Sequence, residues 1–131
     1  MGEWSFFGSR KIKKLKADVE EQPQSAEAHF NLGAAYEELG CVAEAIEAFQ
    51  KTLHLHSRSA EAHFNLGVLY EESGDGKNAI IHMNKAGTLF SERGDEANKD
   101  RARKRLRDYY QKFGFEAKDI EGSIDEDQGP S

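Results

Sequence analysis

Few side chains in this sequence offer chemistry of their own. The metal and thiol candidates are five histidines and one cysteine, Cys41. His54 and His56 stand two apart, a spacing that points them to different sides of a helix and makes a poor chelate. His29 and His63 sit in identical local sequence and read as packing residues, not ligands. Cys41 follows Gly40 with no second cysteine, so an intrachain disulfide is excluded, a redox role is not expected, and a reducing compartment fits. Glycine-rich phosphate loops, a Gly-x-Ser-x-Gly elbow and zinc-ligand spacings are all missing from the sequence. We therefore expect no enzymatic activity, no cofactor and no bound metal. The basic run RARKRLR at Arg101–Arg107 raises nucleic acid as a partner. Its charges wrap the helix side opposite Leu106 and alternate with Asp100 and Asp108, which reads as a solvated face. A net charge of −6 and a pI near 5.4 argue the same way, because phosphate contacts need a basic surface.

The elements that position these residues are repeated. The stretch SAEAHFNLG occurs at Ser25–Gly33 and again, letter for letter, at Ser59–Gly67, 34 residues on. The copies stay in register beyond it, with Leu32, Tyr36, Gly40 and Ile46 matched by Leu66, Tyr70, Gly74 and Ile80. The same internal spacing returns at Leu106, Tyr110, Gly114 and Ile120, displaced by 40 residues, so about six were added before it. Ile12 lies 34 residues before Ile46 and is followed by Leu15 and Val19 at helical spacing, and Pro23 closes that segment. Each full repeat reads as two helices. The first carries Ala28, Leu32, Ala35, Tyr36 and Leu39 on one side, and the second carries Val42, Ala45, Ile46, Phe49 and Leu53. Gly33 and Gly67 fall mid-helix, where glycine costs about 1 kcal/mol relative to alanine, so both predict a close helix–helix approach. Gly40 and Gly74 read as helix ends.

These landmarks divide the chain into an arm (1–9), a half-repeat helix (10–24), a first repeat (25–58) and a second repeat (59–93). A degenerate third repeat or capping helix (94–121) follows, then an acidic tail (122–131) expected to be disordered. No apolar run reaches the length of a membrane span, and the aromatics of the opening MGEWSFFGSRKIKKLK precede its positive charges, the reverse of a secretory signal. The aromatics and lysines of that opening could touch a membrane surface, but Ile12, Leu15 and Val19 are already claimed by the repeat pattern. A cytoplasmic protein without stable membrane insertion is the expectation.

The period of 34, the pattern Leu-Gly-x-x-Tyr, the following glycine and the Ala-Ile pair resemble tetratricopeptide repeats, most closely over Ser25–Ser91. His29 and His63 stand where the family usually has tryptophan, and Ser57 and Ser91 where it usually has proline. The resemblance implies an all-α fold, a right-handed α-solenoid of stacked antiparallel helix pairs. It also implies that the first helices of successive repeats line a concave groove that binds peptides. Three or so repeats are needed for such an array to bury its apolar stripes, so the flanking helices should be structural.

On the side of these first helices opposite the packing stripe stand Glu27, Phe30, Asn31, Ala34 and Glu38, matched by Glu61, Phe64, Asn65, Val68 and Glu72. Each phenylalanine either packs on its neighbouring helix or forms an apolar platform ringed by carboxylates. The two asparagines can donate and accept at once, as an extended peptide backbone requires. Arg101, Lys104 and Arg105 of the third copy fall on the same face and change its sign. Family members that clamp a C-terminal carboxylate use five polar residues from three such helices. Asn65, Arg101 and Arg105 match three of those positions, with arginine for a usual lysine, while Phe30 and Ala34 occupy the other two. The expected function is a non-catalytic adaptor that binds a peptide or protein segment in this groove. The alternative is a structural self-assembly module, a homo-oligomer formed through the N-terminal segment Trp4–Lys16 or the end helices.

Overall fold

The computed structural model describes the backbone of residues 2–120 and the side chains of residues 8–120. It contains six helices: α1 (Gly2–Glu21), α2 (Ala26–Glu38), α3 (Val42–Leu55), α4 (Ala60–Glu72), α5 (Gly76–Glu92) and α6 (Glu96–Phe113). Residues 117–120 begin a further helical turn, and no strand occurs among the described residues. The fold class is all-α, as the periodicity predicts. The chain forms two compact units, one ending at Ser57 and the other starting at Arg58.

Local chemistry explains where these helices start and stop. The repeated Ser-Ala-Glu-Ala gives α2 and α4 the same cap. Ser25 Oγ accepts from the Ala28 amide at 3.0 Å, and Ser59 Oγ from the Ala62 amide at 3.1 Å. α2, α4, α5 and α6 are each followed by a glycine in the left-handed region, with φ between 73° and 82° at Gly40, Gly74, Gly94 and Gly114. α5 and α6 share a second device. The Asp75 and Asp95 carboxylates accept from the Asn78 and Asn98 amides, and each asparagine side chain donates back to its aspartate at 2.8 Å. The string Gly-Asp-x-x-Asn, present at both places, is the sequence signal for it.

Cys41 occupies the register of Asp75 with nearly the same backbone (φ −85°, ψ 77° against −91°, 81°) but makes no side-chain cap. Cys41→Asp should therefore stabilise the first unit by about 1 kcal/mol. A higher urea midpoint at unchanged slope is the expected result; no gain would mean that the α3 amides are already satisfied.

In the first unit α2 packs on α3 through Gly33, Ala35, Ala45 and Phe49. A Cβ at Gly33 would lie 3.0 Å from the Phe49 ring, so the mid-helix glycine does mark a close approach. α1 lies on α2, where Leu39 covers Gly8 and Lys11 pairs with Glu38 at 3.2 Å. α1 starts at Gly2, so most of the segment expected as an arm (1–9) is helix. Nothing in residues 3–7 breaks a helix, since that stretch holds neither proline nor glycine. The tail expected to be disordered lies outside the described residues.

The second unit is built around α5 and α6. Ile80, Met83 and Phe90 of α5 meet Ala102 and Tyr109 of α6, and Ile120 is fully buried among them. Burial of each large apolar side chain contributes roughly 1.5–3 kcal/mol. Gly67 is in close contact with α5, a Cβ there falling 2.8 Å from Met83 Cε and 3.3 Å from the Ala79 carbonyl oxygen. The extra residues before the third copy lengthen two helices. α5 has 17 residues against 14 in α3, and α6 has 18 against 13 in α4.

Candidate peptide-binding surface

α4 and α6 flank α5, and their facing surfaces carry a basic aromatic cluster. Phe64 projects from α4, half-buried, with one edge against Phe90 of α5 (centroids 6.4 Å apart, planes at 68°). The guanidinium carbons of Arg101 and Arg105, one helical turn apart on α6, lie 5.1 and 5.5 Å from its ring centroid. Arg101 also donates to Asn98 Oδ1 at 2.9 Å. Among the described residues neither arginine forms an ion pair, and neither do Arg103, Lys104 and Arg107. Their neighbours differ: Arg93 pairs with Glu61 and Asp95, Lys99 with Glu96, and Lys112 with Glu71. The middle of α6 is thus a run of cations that the fold leaves uncompensated.

Beneath this run lies Tyr109, one turn beyond Arg105 and only 4% exposed. Its hydroxyl is buried without a hydrogen-bond partner. Burial raises its pKa, and the nearby Arg105 guanidinium works against that rise. The four-residue spacing from Arg105 was the available signal that its hydroxyl would come near the cationic cluster. At the start of α4 the Arg93 guanidinium, 2.6 Å from Glu61 Oε2, holds the Glu61 carboxyl below its ordinary range. Asp95 is also held down, chiefly by its hydrogen bonds from Asn98.

The other expected residues fall as follows. Asn65 and Val68 are half-buried beside Phe64 in sequence, and Val68 packs on the core. Glu61 is engaged by Arg93, and Glu72 is exposed. Lys104 is exposed and does not join the two arginines on the Phe64 ring. In the first unit Glu27, Asn31 and Glu38 are exposed on α2, Glu38 being paired with Lys11, and Ala34 is half-buried. Phe30 packs edge-on against Phe49 at 5.2 Å, the counterpart of the Phe64–Phe90 contact. Both phenylalanines therefore pack on the neighbouring helix while keeping part of the ring exposed. The structure brings Phe64, Arg101 and Arg105 together. The first unit also holds an open cavity of about 540 Å³, bordered by Val19, Leu32, Tyr36 and Ala48 and rimmed by His29 and His54.

Three of the five histidines have structural partners. His29 Nε2 lies 3.0 Å from the Pro23 carbonyl oxygen, and the His63 and His82 Nδ1 atoms lie 3.0 Å apart with their rings stacked. No group of three or more His, Cys, Asp or Glu side chains suited to a metal occurs among the described residues. No described helix is long and apolar enough to cross a membrane.

Comparison with known proteins agrees with this architecture. The tetratricopeptide-repeat signature matches residues 26–58, and a second form of it matches residues 60–89. The chain therefore carries two tetratricopeptide repeats, a fold that serves as a scaffold for protein interaction. Among solved structures it is similar to PcrH, determined in complex with the chaperone binding region of PopD, with 18% identity over 84% of each chain and a TM-score of 0.77. It is also similar to MamA. One structure shows 27% identity over 77% of this chain and 66% of that one, TM-score 0.57. Another shows 26% identity over 80% and 63%, TM-score 0.59. This chain thus spans just under two thirds of the MamA chains it matches. No curated protein sequence is similar enough to count as a relative.

Proposed function

We propose that this protein is a non-catalytic interaction module that holds a peptide or protein segment on the α4–α6 face of its second unit. The observation that carries the reading is the partly buried Phe64 ring under two guanidiniums that have no carboxylate partner among the described residues. Such a surface suits an extended segment that sets an apolar residue beside carboxylates. The apolar side chain covers the free part of the ring, and the carboxylates accept from the arginine forks. Asn65, next to Phe64 in sequence, offers a donor and an acceptor for the ligand backbone. Protein binding is the general role of this family, and PcrH, of similar fold, was crystallised with a bound segment of PopD.

The test is a peptide array in which apolar residues alternate with acidic, neutral or basic ones, followed by calorimetry on the tightest binder. Apolar–acidic peptides should be selected. Arg101→Ala/Arg105→Ala should weaken the complex by about 10- to 100-fold, the worth of one or two charge-assisted hydrogen bonds, with helicity and unfolding midpoint little changed. Equal affinity for both proteins would remove this face from the binding site.

A further inference from the structure

The uncompensated cations on α6 have a candidate partner within the chain. Past Ile120 the sequence continues as EGSIDEDQGPS, residues 121–131, which carries Glu121, Asp125, Glu126 and Asp127 and no lysine or arginine. Its central part, Ile124 followed by three consecutive carboxylates, has the chemistry the Phe64 cluster calls for: one apolar side chain beside several acceptors. We infer that the segment 121–131 binds in cis to the Phe64–Arg101–Arg105 surface and competes there with external ligands. The inference rests on the reading of that surface as a peptide site and supplies its regulation.

Three observations favour this occupant. The first is charge. Arg93, Lys99 and Lys112 have acidic partners within the fold, whereas Arg101 and Arg105 have none among the described residues, and the segment brings four carboxylates. Ion pairs of this kind are weak one at a time when exposed, but a cluster of cations against a cluster of carboxylates in one chain adds them without a cost of association. The second is position. Ile120 is buried in the core cluster that also holds Ala102 and Tyr109, so the segment leaves the fold from the unit that carries the surface. The third is reach. Asp125 and Asp127 lie five and seven residues past Ile120, about 17 and 23 Å of extended chain. Arg105 and Arg101 lie eight and twelve residues before Phe113, the end of α6, about 12 and 18 Å along the axis. The carboxylates can therefore arrive at the guanidiniums with chain to spare.

The test uses the full chain with Cys41→Ala and a nitroxide attached at Gln128→Cys. In dilute solution the amide signals of Phe64, Asn65, Arg101 and Arg105 should lose about half their intensity or more relative to the reduced label. Asp125→Asn/Glu126→Gln/Asp127→Asn should restore them. Attenuation that only fades with distance from residue 120, and is the same in the neutralised chain, would overturn the inference. So would attenuation seen only when labelled and isotope-enriched chains are mixed, because the segment would then belong to a second copy.

A competition supplies the second readout. A free peptide of residues 121–131 should bind the neutralised chain, bind the wild-type chain about tenfold more weakly, and lose binding in Arg101→Ala/Arg105→Ala. The tenfold follows from a tethered competitor at an effective concentration of about a millimolar. Equal binding to the wild-type and neutralised chains, or none to the neutralised chain, would reject the tail as occupant. The peptide array decides independently whether the surface binds other segments.

Discussion

Phe49→Ala should remove about 3–5 kcal/mol from the first unit, because the largest fully buried side chain there is replaced by a void. The ring has two neighbours that make the loss specific. It supplies the edge-on contact to Phe30 at 5.2 Å, and it lies where a methyl group at Gly33 would have to go, 3.0 Å away. Gly33→Ala in the wild-type chain should therefore cost about 1–3 kcal/mol by overpacking, more than offsetting the roughly 1 kcal/mol that alanine gains in a helix. In the Phe49→Ala background the order reverses. The methyl group then enters space the ring has left, and Gly33→Ala should recover about 1 kcal/mol or more. Urea unfolding of the four proteins, followed by circular dichroism, measures the coupling. Equal cost of Gly33→Ala in both backgrounds would show that the ring is not what keeps residue 33 a glycine.

Gly76→Val should be comparably severe, at about 3 kcal/mol or more, although the first repeat carries Val42 in that register. A Cβ at Gly76 would lie 2.4 Å from Phe113 Cγ and 2.7 Å from its Cβ, so the valine collides with the side-chain root and not only with a mobile ring tip. Relief requires the end of α6 to move, and α6 supplies Tyr109 and Ala102 to the core. Phe113→Ala should lower the added cost of Gly76→Val by about 1 kcal/mol or more without abolishing it, because the Cβ remains. Strict additivity in the double variant would separate the glycine from Phe113 and undo this account.

The contrast with Gly87 sharpens the point. It also lies on α5, buried, but its nearest neighbours would meet a methyl group at 3.7 Å, an ordinary van der Waals contact. Space around the missing Cβ, and not the presence of glycine in a helix, decides which of the glycines facing another helix are required.

Legibility followed the range of the interactions concerned. Helix starts and stops were readable, because a serine cap and a left-handed glycine act over three or four residues of chain. So was the pairing of helices inside each repeat, since Gly33 and Gly67 recur in register with the apolar stripes. The Gly-Asp-x-x-Asn caps were equally local, and the same two strings carried them. The candidate surface was legible only as a face. Periodicity put Phe64, Arg101, Lys104 and Arg105 on one side, but it could not tell that two cations would lie on the ring while Lys104 stood apart. That choice depends on the rotation of α6 against α4, which core side chains such as Tyr109 and Phe90 set.

Identical letters did not give identical surroundings. His63 lies against His82, in whose register the first repeat has Ala48. The chain's letters alone determined that it is built from helix pairs of one period, with caps and close contacts repeated in step, because those features are satisfied within a few residues or between adjacent helices. Which glycine is indispensable and which arginines cover an aromatic ring were decided only by how one helix packs on another. Such contacts join residues as far as 41 apart, Phe64 and Arg105, and no local pattern encodes them.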